Sequence, residues 1–443
     1  MRYASTRTAP SKTLSGFSDA LMTRATKQPG VFAPASVPML NSLELKALRE
    51  LSWVDLSVEI IKLFAPSLAK KEVLKAALQA VANKSLHPAV IPLEQIGRHT
   101  WLAQGYMWPT QSDSHCAMEL LRALIDMIGG KPAGFVGATT GDSGAAAIYA
   151  LADKAPVITV FPHERLDEYR RRGLTTCDKQ NSYVFAVDGD IDAAFETSRR
   201  LAADFGLVSY DQQNIIHVIA QIIEVFYTAL SAGAPEREVV FAYTDPNASL
   251  ATAALIARKM GLPVRFTLAV GGLWDEFSSR ATLPSTRDRP SRPLRPVNLE
   301  RLVFVASGND ITLTNQFFES PYIPLDPGVF KAIRPHLKGV RVSLENARKT
   351  MQEAYRSSGV ILDLNAAEAL EAARSHVIDG TSMVVVQHAH GLNNPAIFRE
   401  VTGASPVLPQ YTAALEAADR PERLVLARDY KTLCEHISKI MGR

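Results

Sequence analysis

From about residue 94 onward, short runs rich in β-branched and aromatic residues alternate with helical segments, and this constrains the fold most. Gly134-Phe135-Val136-Gly137 ends in a Gly-rich turn and leads into Ala145 to Leu151. Pro156 to Phe161 is a buried-strand run, and Ser182 to Val187 is another, followed by a helix over Ile191 to Phe205. Val239 to Tyr243 precedes a helix over Leu250 to Met260; Arg301 to Val305 and Ser382 to Val386 read as later strands. Alternation of this kind implies an α/β fold, with parallel sheets covered by helices on both faces. In such sheets ligands sit at the carboxyl ends of strands, where loops and helix N-termini converge.

Residues 1–93 differ. Leu43 to Leu51, Leu56 to Phe64 and Lys71 to Ala82 carry apolar residues at helical spacing, separated by turns containing Pro34, Pro38 and Pro66. The expected organisation is a helical lead domain over 1–93, a smaller α/β lobe over 94–225 and a larger one over 226–443. Residues 264–298 stand out, and within them Pro284 to Pro296, rich in Pro, Arg and Ser, reads as a mobile surface excursion.

Bulk properties exclude several classes. At 443 residues with 47% apolar and 21% charged content, the chain is an ordinary globular protein of two or three domains. A net charge of +3, with both signs mixed along the chain, leaves no footprint for nucleic acid. The basic run Arg170-Arg171-Arg172 reads as a helix end or ion-pair partner. Three distant cysteines, Cys116, Cys177 and Cys434, make a disulfide scaffold unlikely and point to the cytoplasm. The N-terminus lacks an apolar signal region, and no apolar run is long enough to span a bilayer.

Two loops carry the strongest motifs. Gly137-Ala138-Thr139-Thr140-Gly141-Asp142-Ser143-Gly144 is a Gly-rich turn between a strand and a helix, a geometry suited to a carboxylate or phosphate. Trp108 to Met118, through Gln111-Ser112-Asp113-Ser114-His115-Cys116, precedes a helical run over Glu119 to Ile128. The second loop resembles the Gly-Pro-Thr-Leu-Ala-Phe-Lys-Asp-Val-Ala-Met loop of the threonine synthase family, and the first resembles that family's Gly-Ala-Thr-Ser-Gly-Asp-Thr-Gly loop. Tyr3 to Arg7, Gly30 to Pro34, His87 to Leu93, Ala257 to Pro263, and Asn309-Asp310-Ile311 with Phe317-Phe318 are similar to further family segments. The resemblance covers most of the chain. It implies fold type II of the enzymes that use pyridoxal 5'-phosphate (PLP), two α/β lobes with a cleft between them, and a dimer. It also implies that Thr139, Thr140, Gly141, Asp142, Ser143, Gly144 and Asn214 bind substrate.

The departures from the family cluster where it holds its cofactor. Aligned on the Pro-Thr and Ala-Met ends, Ser114 stands at the Schiff-base lysine and His115 at the following Asp. The family's phosphate cradle, Thr-Gly-Asn-Phe-Gly-Asp, is matched by Thr244-Asp245-Pro246-Asn247-Ala248-Ser249. Pro246 has no N–H to give, and Asp245 repels a phosphate. His388 replaces the Thr that serves the pyridine nitrogen; Asn214-Ile215-Ile216-His217 replaces Asn-Trp-Ala-Arg; Asp363 to Ala367 replaces Asp-Pro-His-Thr-Ala. The family's stretch around Ser-Pro-Ser-Met-Asp is missing between Pro324 and Val340. Changes concentrated on one ligand, in a frame that stays legible, argue that PLP binding was given up. No cofactor and no metal are expected.

The emptied pocket gains Asp113, Ser114 and His115 on one loop, His388 and His390 on another, and His217 on a third. These are the candidate catalytic residues, since histidines beside a carboxylate suit acid–base work. Cys116 beside His115 is a candidate nucleophile, although adjacent residues on one element point apart. His-x-His spacing at 388–390 puts both rings on one face of a strand. A zinc site drawn from them lacks the usual cysteine pairs. Three functions stay open: a PLP-independent enzyme of elimination or group transfer on a small amino-acid-like or phosphorylated acid, a non-catalytic ligand-binding relative, and a PLP lyase with unconventional cofactor binding. The partner in each is a small molecule bearing carboxylate or phosphate.

Overall fold

A computed structural model describes residues 1–8, 15–22, 30–163, 165–282, 296–319, 324–418, 422–427 and 429–442. Its strands are β1 (Tyr3–Ser5), β2 (Phe32–Pro34), β3 (Leu93–Gly97), β4 (Thr100–Gln104), β5 (Phe135–Ala138), β6 (Val157–Pro162) and β7 (Ser182–Val187). Then follow β8 (Val208–Ser209), β9 (Val239–Thr244), β10 (Val264–Val270), β11 (Leu337–Val340), β12 (Ser382–Gln387) and β13 (Val425–Ala427).

Two sheets dominate. One is five-stranded in the order β13-β7-β6-β5-β8 and wholly parallel. The other is six-stranded in the order β11-β10-β9-β12-β4-β3, parallel except at the antiparallel β3–β4 edge. The alternation of side chains along each strand sorts them between separate cores. In β5, Phe135 joins the large central core, whereas Val136 and Ala138 face the one closed by Leu201, Leu433 and Ile437. In β9, Val239, Phe241 and Tyr243 face the central core, and Val240 and Ala242 face the one containing Met351, Leu370 and Phe398. The central core therefore lies between the sheets, and its middle is the apolar Ile216–Ser231 helix.

The lead segment forms the helices Ser42–Arg49, Trp53–Phe64 and Lys71–Ala82. Asn41 and Glu44 cap the first reciprocally, and Ser52 caps the second by accepting from the Asp55 N–H (3.1 Å). The small antiparallel β1–β2 pair is anchored through Arg301, which is fully buried and donates to the carbonyls of Phe32, Gln212 and Gln213.

Several expectations need correction. Arg301 to Val305 lies inside the Val297–Ala306 helix, not a strand. A short, wholly buried apolar run has no periodicity to separate the two states. The 284–296 excursion lies outside the described residues apart from Pro296, and the standout stretch that contains it begins with β10 and the Gly272–Arg280 helix. The boundaries at 93/94 and 225/226 do not follow the sheets: β3 and β4 pair into the six-stranded sheet, and β13 returns to the five-stranded one. Among the described residues no helix is long and apolar enough to cross a membrane.

Candidate functional site

A cleft of about 330 Å³ opens at the carboxyl ends of β5, β9 and β10, within the size range of small-molecule sites. One wall is the turn after β5. Gly141 there has φ 126°, and a Cβ on it would lie 2.6 Å from Arg170 Cβ, so only glycine fits. Thr139 Oγ1 accepts from the Gly141 and Gly144 N–H groups (2.9 and 3.0 Å) and lies 3.0 Å from Ser143 Oγ. The Ala145 N–H is taken by the Gly141 carbonyl. The Asp142 and Ser143 N–H groups at the start of the Asp142–Leu151 helix are thus left to meet an anion. Thr140 and Ser143 face the cleft; Asp142 pairs with Arg170 at 3.5 Å.

The opposite wall is Thr244 to Asn247. Here the N–H groups that open the Ser249–Lys259 helix are already engaged. The buried Asp245 carboxylate accepts from the N–H groups of Leu250 (2.8 Å), Ala251 (3.3 Å) and Asn247 (3.2 Å). Trp274 Nε1 donates to the Asp245 carbonyl (2.9 Å), fixing the turn. Burial raises the Asp245 pKa, and the backbone donors oppose that rise. A side chain of the protein therefore sits where a helix N-terminus would otherwise hold an external anion. Among the described residues, the cleft lining includes Asp192 and Asp245 and no Lys or Arg.

Behind the cleft, and sharing Gln212 with it, lies a cavity of about 30 Å³, room for a water molecule or an ion and not for a pyridine ring. Asp113, Ser114, Cys116, His217, Gln221 and Glu224 line it. The 105–113 and 387–390 segments are zipped together above it: Gly105 N–H donates to Gln387 O (3.0 Å), Asp113 N–H to His388 O (2.9 Å) and His390 N–H to Gln111 O (3.1 Å). This brings His388 Nε2 to 3.8 Å from Asp113 Oδ2 and 3.7 Å from Glu224 Oε2, ion-pair distances beyond hydrogen bonding. Gln221 Nε2 donates to Asp113 Oδ2 (3.0 Å). A Cβ on Gly105 would come within 3.1 Å of Glu224 Oε1, so glycine leaves that carboxylate its room.

Burial alone pushes His388 down, but Asp113 and Glu224 together outweigh it and hold the imidazolium up to about 10. At Asp113 burial prevails, raising the carboxyl to about 6 against the pull of His388 and with the push of Glu224 and Asp142. The shifts do not mirror each other because one imidazolium is shared between two carboxylates. The group pairs a carboxyl near neutral with a cationic donor.

The other candidates lie elsewhere. His115 points into the protein: it stacks on Trp108, its Nδ1 is 3.0 Å from Thr110 Oγ1, and its Nε2 is 3.6 Å from Glu119. His217 borders the cavity with both ring nitrogens engaged, Nε2 with Tyr210 O (2.8 Å) and Nδ1 with Gln212 Nε2 (3.2 Å); burial lowers it to about 4. His390 lies beyond the end of β12, not on one strand face with His388. Its Nδ1 accepts the Leu392 N–H, its ring meets Tyr106 edge-on, and burial lowers it to about 4. Asn214, fully buried, spends its amide on Leu21 O, Ser209 O and the Ile216 N–H, which leaves nothing for a substrate. Burial, reinforced by Glu224 and Asp113, pushes the Cys116 thiol well up, which opposes a nucleophilic role. Ser114 is the first residue of the Ser114–Met127 helix. Among the described residues no lysine lines either cavity: Lys84 pairs with Glu119 (2.5 Å) and Lys131 is exposed.

Glu224, Gln221 and Gln212 were not singled out from sequence. A signal existed: His217, Gln221 and Glu224 recur at spacings of four and three along an otherwise apolar helix, placing three polar groups on one face.

Two parallel-stranded lobes meeting at a strand-end cleft define a protein of fold type II. Comparisons agree. The model for the threonine synthase N terminus matches residues 2–85. The chain is 29% identical to threonine synthase of Pseudomonas aeruginosa over 96% of this chain and 95% of that one. It is 24% identical to threonine synthase-like 2 of Xenopus laevis, over 82% of each. Among solved structures, PLP-bound threonine synthase from Brucella melitensis superposes with a TM-score of 0.86 at 24% identity over the whole of both chains. The yeast enzyme superposes with a TM-score of 0.85 at 20% identity, over 100% of this chain and 99% of that one. The chain is thus similar to threonine synthases over nearly its whole length and shares their fold.

Proposed function

We propose that this protein works without a PLP Schiff base, as an enzyme of elimination or group transfer on a small amino-acid-like or phosphorylated acid. The observation that carries the reading is the cavity of about 30 Å³ beside Ser114, lined by Asp113 and Glu224, with His388 Nε2 3.8 and 3.7 Å from their carboxylates. The residues present do not fit PLP. Ser114 aligns with the position of the family lysine, no lysine among the described residues lines the cavities, and Asp245 consumes the N–H groups that a cofactor phosphate needs.

The cleft favours an acid: the start of the Asp142–Leu151 helix attracts a carboxylate or phosphate. A substrate group reaching past Gln212 meets Asp113, which accepts a proton near neutral pH, and His388, which donates one.

The first test is incubation of the purified protein with PLP, borohydride reduction and dialysis. The expected result is a colourless protein with no labelled peptide; a reduced pyridoxyl adduct on any lysine overturns the reading. The second is deuterium incorporation from D2O into small 2-amino and phosphorylated carboxylic acids, followed by NMR. Exchange that disappears in folded Asp113→Asn and His388→Ala variants supports catalysis. Exchange absent from wild type across these acids overturns the enzymatic part and leaves a ligand-binding relative.

A further inference from the structure

Three side chains from separate elements converge beside the small cavity, which Asp113 and Glu224 line. Asp113 comes from the loop before the Ser114–Met127 helix, Glu224 from the middle of the Ile216–Ser231 helix, and His388 from the segment after β12. Each offers one ligand atom, and the three atoms all lie within 4.8 Å of one another. Glu224 is 5% exposed, and its Oε1 has no hydrogen-bond partner. Gln221, 6% exposed and one turn earlier on the same helix, has an unpartnered Oε1, as does His388 at Nε2. Unsatisfied buried polar atoms cost free energy, so several close together call for an occupant.

We infer that this cavity is a divalent-cation site, with Asp113, Glu224 and His388 as ligands. Tetrahedral donors about 2.1 Å from an ion stand about 3.4 Å apart. The His388 separations of 3.7 and 3.8 Å lie a few tenths of an ångström above that, and the two carboxylates lie within 4.8 Å of each other. Two carboxylate oxygens and one imidazole nitrogen suit Zn²⁺ or Mn²⁺ rather than a soft ion. Two carboxylates balance the charge of one divalent cation, and the imidazole then coordinates as the neutral ring, giving up its proton on binding. The outer shell is in place: Gln221 Nε2 holds Asp113 Oδ2, and the backbone bond from Asp113 to His388 ties two ligands together. A cation there would replace the imidazolium that otherwise neutralises the carboxylates, and the acid–base roles of Asp113 and His388 then belong to the metal-free form.

The inference rests on the proposal that no Schiff base occupies this place, and the two fail separately. The test uses the whole chain, stripped with chelator and titrated with Zn²⁺ and with Mn²⁺ by calorimetry, with bound metal counted by mass spectrometry. One equivalent per chain is expected, with affinity falling at least roughly 100-fold in Glu224→Gln and in His388→Gln. Absence of stoichiometric binding, or binding that both variants keep unchanged, overturns the site. If either variant does not fold, X-ray absorption of Zn²⁺-loaded wild type decides: one imidazole within an oxygen shell supports the site, and a shell without imidazole overturns it. A metal-free protein that also takes up no PLP rejects the cation and leaves the lysine-free reading standing. A borohydride-fixed pyridoxyl adduct rejects that reading directly.

Discussion

Replacing Asp245 by alanine should create an anion requirement that the wild type lacks. The Asp245 carboxylate accepts three backbone N–H groups, from Asn247, Leu250 and Ala251, and is 4% exposed. Hydrogen bonds to a charged group are worth about 1.5–3 kcal/mol each, but burying the carboxylate offsets much of that sum, as its raised pKa indicates. Loss of a capping Asp typically costs about 1–2 kcal/mol, and stranding two further donors in a buried turn takes the expected loss to about 2–3 kcal/mol. The vacated N–H groups then form an open helix N-terminus. Inorganic phosphate at a hundredfold excess over its Kd restores about 2.7 kcal/mol. The assay is thermal unfolding of wild type and Asp245→Ala in phosphate and in chloride at matched ionic strength. The variant should melt several degrees below wild type in chloride, and phosphate should close most of that gap. Comparing the phosphate response of the variant with that of wild type removes any binding at the 139–144 turn. An unchanged gap in phosphate, or no gap in chloride, would falsify the idea that Asp245 stands in for an external anion.

Two further outcomes follow from the same geometry. Ser114→Lys alone should not restore PLP uptake, because the cavity beside it holds about 30 Å³ and Asp245 still occupies the helix N-terminus; a borohydride-stable adduct in this variant would refute that. His217 is held neutral, its pKa lowered to about 4 mainly by burial, with Arg301 assisting and the Tyr210 carbonyl opposing. A depressed histidine contributes stability that is full above about 6.5 and lost as pH falls towards 4, here at most about 3 kcal/mol. Urea unfolding of His217→Gln across that window should show a flatter decline than wild type, and parallel curves would contradict the assignment.

The architecture was legible because both periodicities are strong. β5, β6, β7, β9 and β12 stand where apolar runs meet turn residues, and the Ile191–Phe205 helix matches its expected span. Where legibility failed, burial had erased the pattern. Leu302 to Val305 is apolar on successive residues because the Val297–Ala306 helix is enclosed, and a charged residue fully buried at 301 is unreadable without its partners. Sheet membership was hidden for a different reason. β13 crosses back to β7 from the far end of the chain, and such long-range pairing leaves no local trace.

The site divides along the same line. Thr139 to Gly144 and Asp245 to Ser249 are contiguous, so their chemistry reads from sequence: a turn able to meet an anion, and a turn unable to do so. The Asp113, Glu224 and His388 group comes from three elements separated by more than a hundred residues each. Sequence proximity misleads there, because it offered His115 beside Ser114 and His390 beside His388, and both rings turn away into structural contacts. Helical phase is the better guide: Glu224 lies one turn beyond Gln221, which orients Asp113. A face of three polar residues on a helix at the centre of the largest core is costly unless something fills the space between them. That face, with Ser114 beside it, is where an occupant of the cavity has to be sought.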